Sequence, residues 1–429
     1  MTRILVADLG DHIGETVKVA GWVNTLRLQR AMQFVLVRDH TGVVQVTWKR
    51  DGGELEDLLD GLTIESAVVI TGQVVANPIV ALGGLEIIPA AVEVAGRAQA
   101  PLPVDEHTGA ERRLAWRHLD LRRRPPARLV FAVQMTVEQA MRDFAYAHGC
   151  SELHTPKLMG SASESGAEVF KLGYFGRSAY LAQSPQFYKQ MAISAGLDRV
   201  FEIGPVFRAE PSFTSRHATE FTGVDVELGW IDGVEDVMAF EEQMLVQVAA
   251  AVAERHGTAI REQLGVEVTV PSVPFPRITM AAAQAVLNPG QPGEDLDPEG
   301  ERRLAAHIAA TAGHEFVFVT DYPASVRPFY HLRPDGRPAL TASFDLLWKG
   351  LEITTGAQRE HRHDVLLRQA AEKGLDPEPM SDYLNCFRYG CPPHGGFGLG
   401  LGRLLMAMLG LESIRDATFL FRGPNRLSP

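Results

Sequence analysis

Apolar and polar residues alternate along five segments of the first hundred residues. The segments are ETVKVAGWV, QFVLVRD, VVQVTWK, SAVVITGQVV and GLEIIPAAVEV, and Gly, Asn-Pro or charged turns separate them. Alternation with a period of two predicts half-buried β-strands. Five such strands within about 100 residues predict a small closed barrel of the OB type, whose face binds single-stranded nucleic acid.

A helical period replaces this alternation from Leu129 onward. Apolar residues then recur every three or four positions up to Phe144, and a His-Gly pair just beyond provides a natural end for the helix. The next segment, CSELHTPKLM, predicts a strand. Residues 234–256 predict an amphipathic helix that ends before Gly257.

These changes of period divide the chain into three parts. We predict a barrel at residues 1–100, a Pro- and Arg-rich hinge at 101–128, and a catalytic domain at 129–429 with an insertion at about 265–343. The hinge ends in consecutive arginines before Pro125, which either contact an RNA backbone or form a solvated charge run. The fold class is α+β.

Two predicted strands within residues 201–228 enclose a loop that carries cations. The first strand ends at Phe207, Arg208 follows it, and a polar loop leads to Arg216 beside His217. Arginines on a rigid hairpin suit a triphosphate, because the planar guanidinium pairs with two phosphate oxygens at once. The alternative is a hairpin with a solvated, charged tip.

Composition limits the classes of function. The net charge of −12 excludes a globally basic nucleic-acid binder, so RNA contacts must come from local patches. The three cysteines form no C-x-x-C pair, so neither a disulfide framework nor a zinc site is indicated. The N-terminus lacks an apolar signal segment, and no apolar run is long enough for a membrane helix. We therefore expect a cytoplasmic protein with no membrane partner.

Four motifs along the chain resemble those of class II aminoacyl-tRNA synthetases. FRAE followed by T-x-R-H is similar to motif 2 of that class, and GGFGLGLGRLL at 395–405 is similar to motif 3. QSPQFYKQ at 183–190 and GLEITTGAQREHRH at 350–363 are similar to the aspartate-specific members, and most closely to the short archaeal and eukaryotic type. The helix from Leu129 and the strand after it resemble motif 1, the dimer-forming element.

This resemblance implies an architecture and a reaction. The architecture is an N-terminal OB-fold barrel that binds the anticodon, joined to a catalytic domain in which helices flank an antiparallel sheet. The reaction is that of an aspartate–tRNA ligase: ATP and L-aspartate form aspartyl-adenylate, and the aspartate is then transferred to tRNA. ATP is a substrate, Mg²⁺ is the implied cofactor, and a homodimer is the implied assembly.

The resemblance also assigns the nucleotide site. Arg208 aligns with the arginine that holds the α-phosphate, and Arg403 aligns with the one near the γ-phosphate, so both are predicted catalytic residues. The further nucleotide contacts that it implies are Glu210, Arg216, His217, Phe221 and Glu352. The family usually has Glu directly before the motif 3 arginine, whereas this chain has Gly402.

For the amino acid, the resemblance implies a pair of cations. Lys189 and Arg359 align with the residues that clamp the side-chain carboxylate. Two cations can reject the near-isosteric amide of asparagine, because the amide would leave them unpaired. The other implied aspartate-binding residues are Glu164, Gln186, Asp225 and Thr355. The implied Mg²⁺ ligands are Asp345, Glu352 and Thr355.

On the barrel, the family's anticodon-stacking Phe and base-reading Gln align with Phe34 and Gln45, although Phe34 could equally be a core residue. Arg27, Asn24 and Pro78 complete the predicted anticodon contacts. The anticodons of tRNA(Asp) and tRNA(Asn) differ only in the third base. Discriminating relatives read that base with bulky or charged residues, which Asn24 and the loop at 77–80 do not provide. We therefore expect both tRNAs to be charged, with an amidotransferase acting on the Asp-tRNA(Asn).

Three alternatives stay open: a discriminating aspartyl enzyme, an asparaginyl-tRNA synthetase, and a catalytically silent RNA-binding paralogue. Lys189 and the QSPQ segment argue against the asparaginyl enzyme. The intact set of predicted ATP-site residues argues against a silent paralogue.

Overall fold

The computed structural model describes residues 2–161, 168–290 and 293–429 of the chain. The chain forms two compact units, Met1–His107 and Thr108–Pro429. None of the helices in the described ranges combines the length and the apolar character that a membrane crossing requires.

The first unit is a closed five-stranded barrel, which confirms the prediction from the alternating segments. Its strands are β1 (Thr16–Leu28), β2 (Met32–Arg38), β3 (Val43–Lys49), β4 (Ala67–Ala76) and β5 (Leu85–Gly96), with a short helix α1 (Glu54–Asp60) between β3 and β4. Their order around the barrel is β1-β2-β3-β5-β4. Alternate side chains such as Val35, Val37, Val44 and Val46 fill the interior, because successive residues of a strand point to opposite faces.

The second unit combines strands and helices, and more of its described residues lie in helices than in strands. Its strands are β6 (Ser151–Glu152), β7 (Leu158–Met159), β8 (Lys171–Tyr174), β9 (Arg177–Leu181), β10 (Arg199–Phe207), β11 (Glu220–Gly229), β12 (Arg277–Thr279), β13 (Phe316–Thr320), β14 (Ser343–Trp348), β15 (Leu351–Arg359) and β16 (His394–Gly400). Its helices are α2 (Ala110–Ala115), α3 (Arg117–Arg123), α4 (Pro125–Ala147), α5 (Gln186–Ser194), α6 (Val234–Leu264), α7 (Met280–Leu287), α8 (Pro298–Ala312), α9 (His363–Glu372), α10 (Ser381–Asn385) and α11 (Leu401–Leu409).

Eight of these strands form one sheet, in the order β12-β13-β14-β15-β16-β11-β10-β6. The strands from β13 to β10 in this order pair antiparallel, as predicted, and two parallel pairs make the sheet as a whole mixed: β12 pairs parallel with β13, and β6 pairs parallel with β10. Both parallel pairs lie at the edges, where a long connection through helical segments brings the chain back in the same direction. The predicted insertion at 265–343 contains β12, α7, α8 and β13, so it supplies one edge of this sheet.

One face of the sheet is buried and the other carries polar residues. Val224 and Val226 of β11 and Phe397 of β16 lie in the same apolar core as Val137 of α4 and Leu245 of α6. The intervening residues of each strand therefore point away from this core. This alternation places the acidic and glycine positions of the central strands on the opposite face.

Two local predictions are wrong. Helix α6 continues through Gly257 to Leu264, and it ends at Gly265, whose φ of 69° provides the left-handed cap. Glycine inside a helix costs only about 1 kcal/mol, so packing against the core outweighs it. The segment CSELHTPKLM forms two separate short strands, β6 and β7, which belong to different sheets. The helix expected from Leu129 is present as α4, which begins at Pro125, a favoured first position for proline.

Candidate active site

A cavity of about 290 Å³ opens on the polar face of the large sheet. The loop between β10 and β11, the strands β15 and β16, and the start of α5 supply most of its walls. The predicted site residues that line it are Gln186, Arg208, Glu210, Arg216, His217, Phe221, Asp225, Glu352, Thr355, Arg359 and Arg403. Lys189 and Asp345 are buried and pair with the lining residues Asp225 and Arg327, respectively. Glu164 lies outside the described residues.

Arginines converge at one end of the cavity. The Cζ atom of Arg208 lies 5.6 Å from the centre of the Phe221 ring, and Nη1 of Arg208 lies 3.7 Å from Glu210. Arg403 comes from α11, and its Nη1 lies 3.3 Å from Oε1 of Glu352. Two guanidinium groups from distant parts of the chain and an aromatic ring therefore line the same cavity, an arrangement suited to a nucleotide with its phosphates.

Arg216 and His217 occupy the same end but differ in their partners. Nη1 of Arg216 donates to Oε2 of Glu301 on α8 at 2.7 Å, a contact that the sequence did not indicate. Nε2 of His217 lies 3.5 Å from Nη2 of Arg403. Burial and the charge of Arg403 lower the pKa of His217 below its ordinary value, so the neutral ring is favoured beside the arginines.

A pair of carboxylates faces the arginines. Asp345 on β14 is paired in register with Thr355 on β15, and its Oδ2 accepts from Nη2 of Arg327 at 2.6 Å. Its Oδ1 has no hydrogen-bond partner within the described residues. Burial and the charge of Asp345 raise the pKa of Glu352 to about 7.

These carboxylates fit a divalent cation. An acid whose pKa is raised by burial and by a neighbouring carboxylate, next to a carboxylate oxygen without a hydrogen bond, is the environment that a hard cation relieves. No cluster of three or more His, Cys, Asp or Glu ligands occurs in the part of the chain that the structure describes. Asp345 and Glu352 are nevertheless enough for Mg²⁺, which commonly takes only one or two protein carboxylates together with waters and substrate phosphates.

The opposite end of the cavity contains a buried charge network. Nζ of Lys189 lies 3.0 Å from Oδ1 of Asp225 and 3.4 Å from Oε2 of Glu227. Nε of Arg359 lies 3.0 Å from Oε1 of the same Glu227, and Nη1 lies 3.1 Å from Nε2 of His331. Burial alone would raise the pKa of Glu227, but Arg359 and Lys189 outweigh it and hold that pKa below its ordinary value.

The glycine-rich strand β16 lets this network form. A Cβ atom at Gly396 would lie 2.8 Å from the Cα of Glu227, and one at Gly398 would lie 3.3 Å from Oδ1 of Asp225. A side chain at either position would therefore displace the acids that hold the cations. At Gly402, where the family usually has Glu, a Cβ would lie 2.9 Å from Cγ1 of Ile414. Ile414 therefore occupies space that a larger side chain at position 402 would need.

The barrel unit carries its own group of predicted residues. Phe34 is half-buried and lies outside the barrel core, on the same side of β2 as Leu36. It pairs in register with Arg27 on one side and Thr47 on the other. Nε2 of Gln45 donates to Oε2 of Glu86 at 3.1 Å.

The two remaining barrel positions, Asn24 and Pro78, differ in their contacts and exposure. Asn24 accepts a hydrogen bond from Arg38 at a bulge in β1, whereas Pro78 and the neighbouring Ile79 are exposed.

Comparison with known proteins identifies the family. Residues 109–422 match the family "tRNA synthetases class II (D, K and N)", and residues 17–95 match the "OB-fold nucleic acid binding domain". The chain therefore belongs to the class II tRNA synthetases.

The matches to individual relatives extend over nearly the whole chain. This chain is 42% identical to the "Aspartate--tRNA(Asp/Asn) ligase" of Aeropyrum pernix, over 99% of this chain and 98% of the relative. It is 43% identical to the "Aspartate--tRNA(Asp) ligase" of Pyrococcus horikoshii, over 97% of each. Among solved structures, the asparaginyl-tRNA synthetase of Pyrococcus horikoshii with bound asparaginyl-adenylate superposes with a TM-score of 0.92 at 33% identity, with full coverage of both chains.

Three residues of this synthetase site escaped the sequence analysis. Glu227 follows Asp225 by two positions on an alternating strand, so the pattern contained a signal that both face the same side. Arg327 and His331 lie in a loop segment without regular periodicity. Only the folded chain brings them to Asp345 and Arg359.

Proposed function

We propose that this class II synthetase ligates L-aspartate to tRNA through an aspartyl-adenylate. Class II aminoacyl-tRNA synthetases use ATP, and the observation that supports aspartate as the amino acid is the contact of two buried cations, Lys189 and Arg359, with one acid, Glu227. This set lies in the cavity that also contains Arg208 and Arg403.

Charge balance supports an acidic side chain. The cations Lys189 and Arg359 face the acids Asp225 and Glu227. If Asp225 turns to the ammonium group of the substrate, Glu227 neutralises only one of the two cations. A side-chain carboxylate then neutralises the other, whereas the amide of asparagine would leave a buried charge unbalanced.

In the proposed reaction, the α-carboxylate of aspartate attacks the α-phosphorus of ATP and pyrophosphate leaves. Arg208 holds the α-phosphate and Arg403 the γ-phosphate, while Arg216 and His217 contact the remaining phosphate oxygens. Phe221 supports the adenine ring. The protein acts by positioning the reactants and by neutralising charge, because this chemistry needs no covalent participation from a side chain.

Asp345, Glu352 and Thr355 would hold a Mg²⁺ ion. Such an ion supplies neutralisation of phosphate charge when bound. With the ion present, Glu352 would be ionised although burial and Asp345 raise its pKa to about 7 in its absence.

For the tRNA, we propose that the enzyme does not discriminate between tRNA(Asp) and tRNA(Asn). The support is chemical: Asn24 is held by Arg38, and the loop at 77–80 exposes Pro78 and Ile79 and contains no charged residue. Curated relatives of both kinds, Asp/Asn and Asp alone, match at similar identity. This proposal implies an amidotransferase that acts on the Asp-tRNA(Asn) product. Separately, the resemblance of helix α4 to motif 1 supports a homodimer.

The decisive experiment measures ATP–pyrophosphate exchange with aspartate and with asparagine, and then aminoacylation of purified tRNA(Asp) and tRNA(Asn). Exchange with aspartate alone and comparable kcat/KM for the two tRNAs would support both proposals. Exchange with asparagine instead would replace aspartate by asparagine as the substrate. A preference of a hundredfold or more for tRNA(Asp) would contradict the lack of discrimination.

A matched variant separates the two units in this experiment. Phe34→Ala removes the proposed stacking platform, and one stacked base contributes on the order of 1–3 kcal/mol. The variant should lower kcat/KM for both tRNAs about tenfold and leave the exchange reaction unchanged.

A further inference from the structure

Arg216 lines the cavity from a loop, and an acid of another element holds its side chain. Nη1 of Arg216 donates to Oε2 of Glu301 at 2.7 Å, and the two side chains are 13% and 8% exposed. Among the described residues, the side chain of Arg216 makes no further hydrogen bond. The other N–H groups of this guanidinium therefore stay available to a ligand in the cavity.

Glu301 stands on the buried face of helix α8. Positions 301, 304 and 308 share one side of a helix, and Leu304 and Ile308 pack in the same apolar cluster as Val317 of β13. The side chain of Asp297 caps the first turn of the helix. Packing and cap together fix the backbone of Glu301, so its carboxylate is a firm support for a partner.

The loop between β10 and β11 gives Arg216 little support of its own. Four of the five residues at 211–215 are exposed, and Phe213 is 64% exposed. An arginine side chain on such a segment has many rotamers, and ordering it when a ligand binds costs conformational entropy. The pair with Glu301 orders the side chain beforehand, so this entropy is not lost on binding.

We propose that Glu301 is a positioning residue of the nucleotide site, which holds Arg216 through Nη1 and leaves its other N–H groups to the phosphates of ATP. This assignment rests on the proposed function, because it requires a triphosphate beside Arg216. Helix α8 belongs to the predicted insertion at 265–343. The insertion thereby contributes to the nucleotide site, although Glu301 itself does not contact the substrate.

The charge of Glu301 would by itself have the opposite effect on ATP. Burial, Asp345 and Glu301 all raise the pKa of Glu352, so the charge of Glu301 reaches groups in the cavity wall. Coulomb repulsion alone predicts that ATP binds more tightly once this acid is removed. Loss of the support for Arg216 predicts weaker binding. The direction of the change in ATP affinity therefore separates a positioning role from simple repulsion.

Two substitutions grade the interaction. Glu301→Ala removes the acceptor, whereas Glu301→Gln keeps an amide oxygen to which Nη1 can donate. We expect Glu301→Ala to raise the Kd and the KM for ATP about tenfold, Glu301→Gln to raise them less, and both to leave KM for aspartate within twofold. Glu299→Ala is the matched control, since it removes a 63% exposed acid from the same turn and should behave as the wild type.

A double variant tests whether the acid acts through the arginine. Arg216→Ala should weaken ATP binding at least as much as Glu301→Ala, and the double variant should bind ATP no more weakly than Arg216→Ala. A loss from Glu301→Ala that persists undiminished without the arginine would show that Glu301 acts through Glu352 or the fold, and would overturn the assignment. Thermal melts establish that each variant is folded.

Calorimetric titration with ATP and Mg²⁺, without any amino acid, measures the Kd independently of the substrate. Unchanged or tighter ATP binding by Glu301→Ala would overturn the role of Glu301, as would unchanged binding by Arg216→Ala. A wild-type protein that binds ATP but exchanges with asparagine alone would overturn aspartate as the substrate and leave this assignment intact. A wild-type protein that binds no ATP would overturn the proposed function and this assignment together.

Discussion

Individual residues of the buried charge network at one end of the cavity are held by opposite charges. Lys189 and Arg359 are each about 3% exposed, and both contact Glu227, which is fully buried. Removing one member of a buried ion pair destabilises a protein by more than the intact pair stabilises it, because an uncompensated charge stays buried. Glu227 therefore serves the site by keeping two cations charged and in place.

Glu227→Gln should destabilise the protein by about 3–5 kcal/mol and raise KM for aspartate, because both cations lose their shared counterion. Chemical denaturation and the exchange reaction measure the two effects. Glu299→Gln is a suitable control, since the side chain of Glu299 is 63% exposed and pairs only at the surface of α8 with Arg302. Equal stability of the two variants would contradict the role of Glu227.

Arg208→Ala should abolish adenylate formation while the fold persists, because Arg208 is partly exposed in the cavity wall. Losing a contact of this kind costs about 3–4 kcal/mol of transition-state stabilisation, or several hundredfold in rate. Arg302→Ala removes a guanidinium from the protein surface and should leave exchange unchanged. Near-normal exchange by the Arg208 variant would require another residue to hold the α-phosphate.

At the scale of elements, one alternation organises both the core and the site. The central strands place apolar residues against α4 and α6, and they place Asp225, Glu227 and the glycines of β16 on the cavity side. A shift of the strand register by one residue would turn the apolar residues to the cavity and the acids to the core. Burial of the apolar residues therefore fixes which residues face the cavity. The helices behind the sheet thus determine where the site residues stand.

Helix α6 carries an acid within this core. Glu241 is fully buried and has no cation partner among the groups that set its pKa, which burial raises to about 8 although the hydroxyl of Thr354 opposes the rise. The folded protein therefore holds a proton that the unfolded chain releases above its ordinary pKa of 4.5. Stability falls as pH rises between these two values, by about 1.4 kcal/mol per pH unit.

Glu241→Gln should remove this dependence, because the amide has no proton to release. We expect the melting temperature of the variant to exceed that of the wild type by an amount that grows from pH 5 to pH 8 and then levels off. Melting curves at pH 5, 6.5, 8 and 9 measure it. Parallel pH profiles for the two proteins would show that Glu241 is ionised in the folded state.

At the scale of the whole molecule, each unit has its own hydrophobic core and its own set of functional side chains. The barrel presents Phe34, Arg27 and Gln45 outside its core, and the catalytic unit encloses the cavity. Because the cores are separate, a substitution in the barrel should alter tRNA binding without altering the exchange reaction. The result expected for the Phe34→Ala variant depends on this separation.

The proposed homodimer is also a property of the whole molecule. Helix α4 exposes Met135 and Tyr146, which are 59% and 54% accessible in the single chain. A C₂ interface through the motif 1 helix and β6 would cover such apolar side chains. Sedimentation at micromolar concentration should give a mass near twice the 46.9 kDa of the chain, and a monomer would contradict the proposal.

The sequence by itself determined the barrel, the hairpin at β10 and β11, and the residues that the hairpin contributes to the cavity. Strand alternation is a local property, so five alternating segments predicted five strands. Motif residues such as Arg208 and Phe221 lie within one hairpin, so the sequence alone could predict that they are close to each other.

Only the tertiary structure decided the buried charge network at the opposite end of the cavity. Glu227 joins Lys189 of α5 to Arg359 of β15, and His331 reaches Arg359 from a loop. These contacts depend on strand order and on how separate elements pack, which no local period encodes. The same holds for the extended α6, where burial against the sheet outweighs the helix-breaking tendency of Gly257. Long-range packing thus set the charge balance from which we infer the substrate.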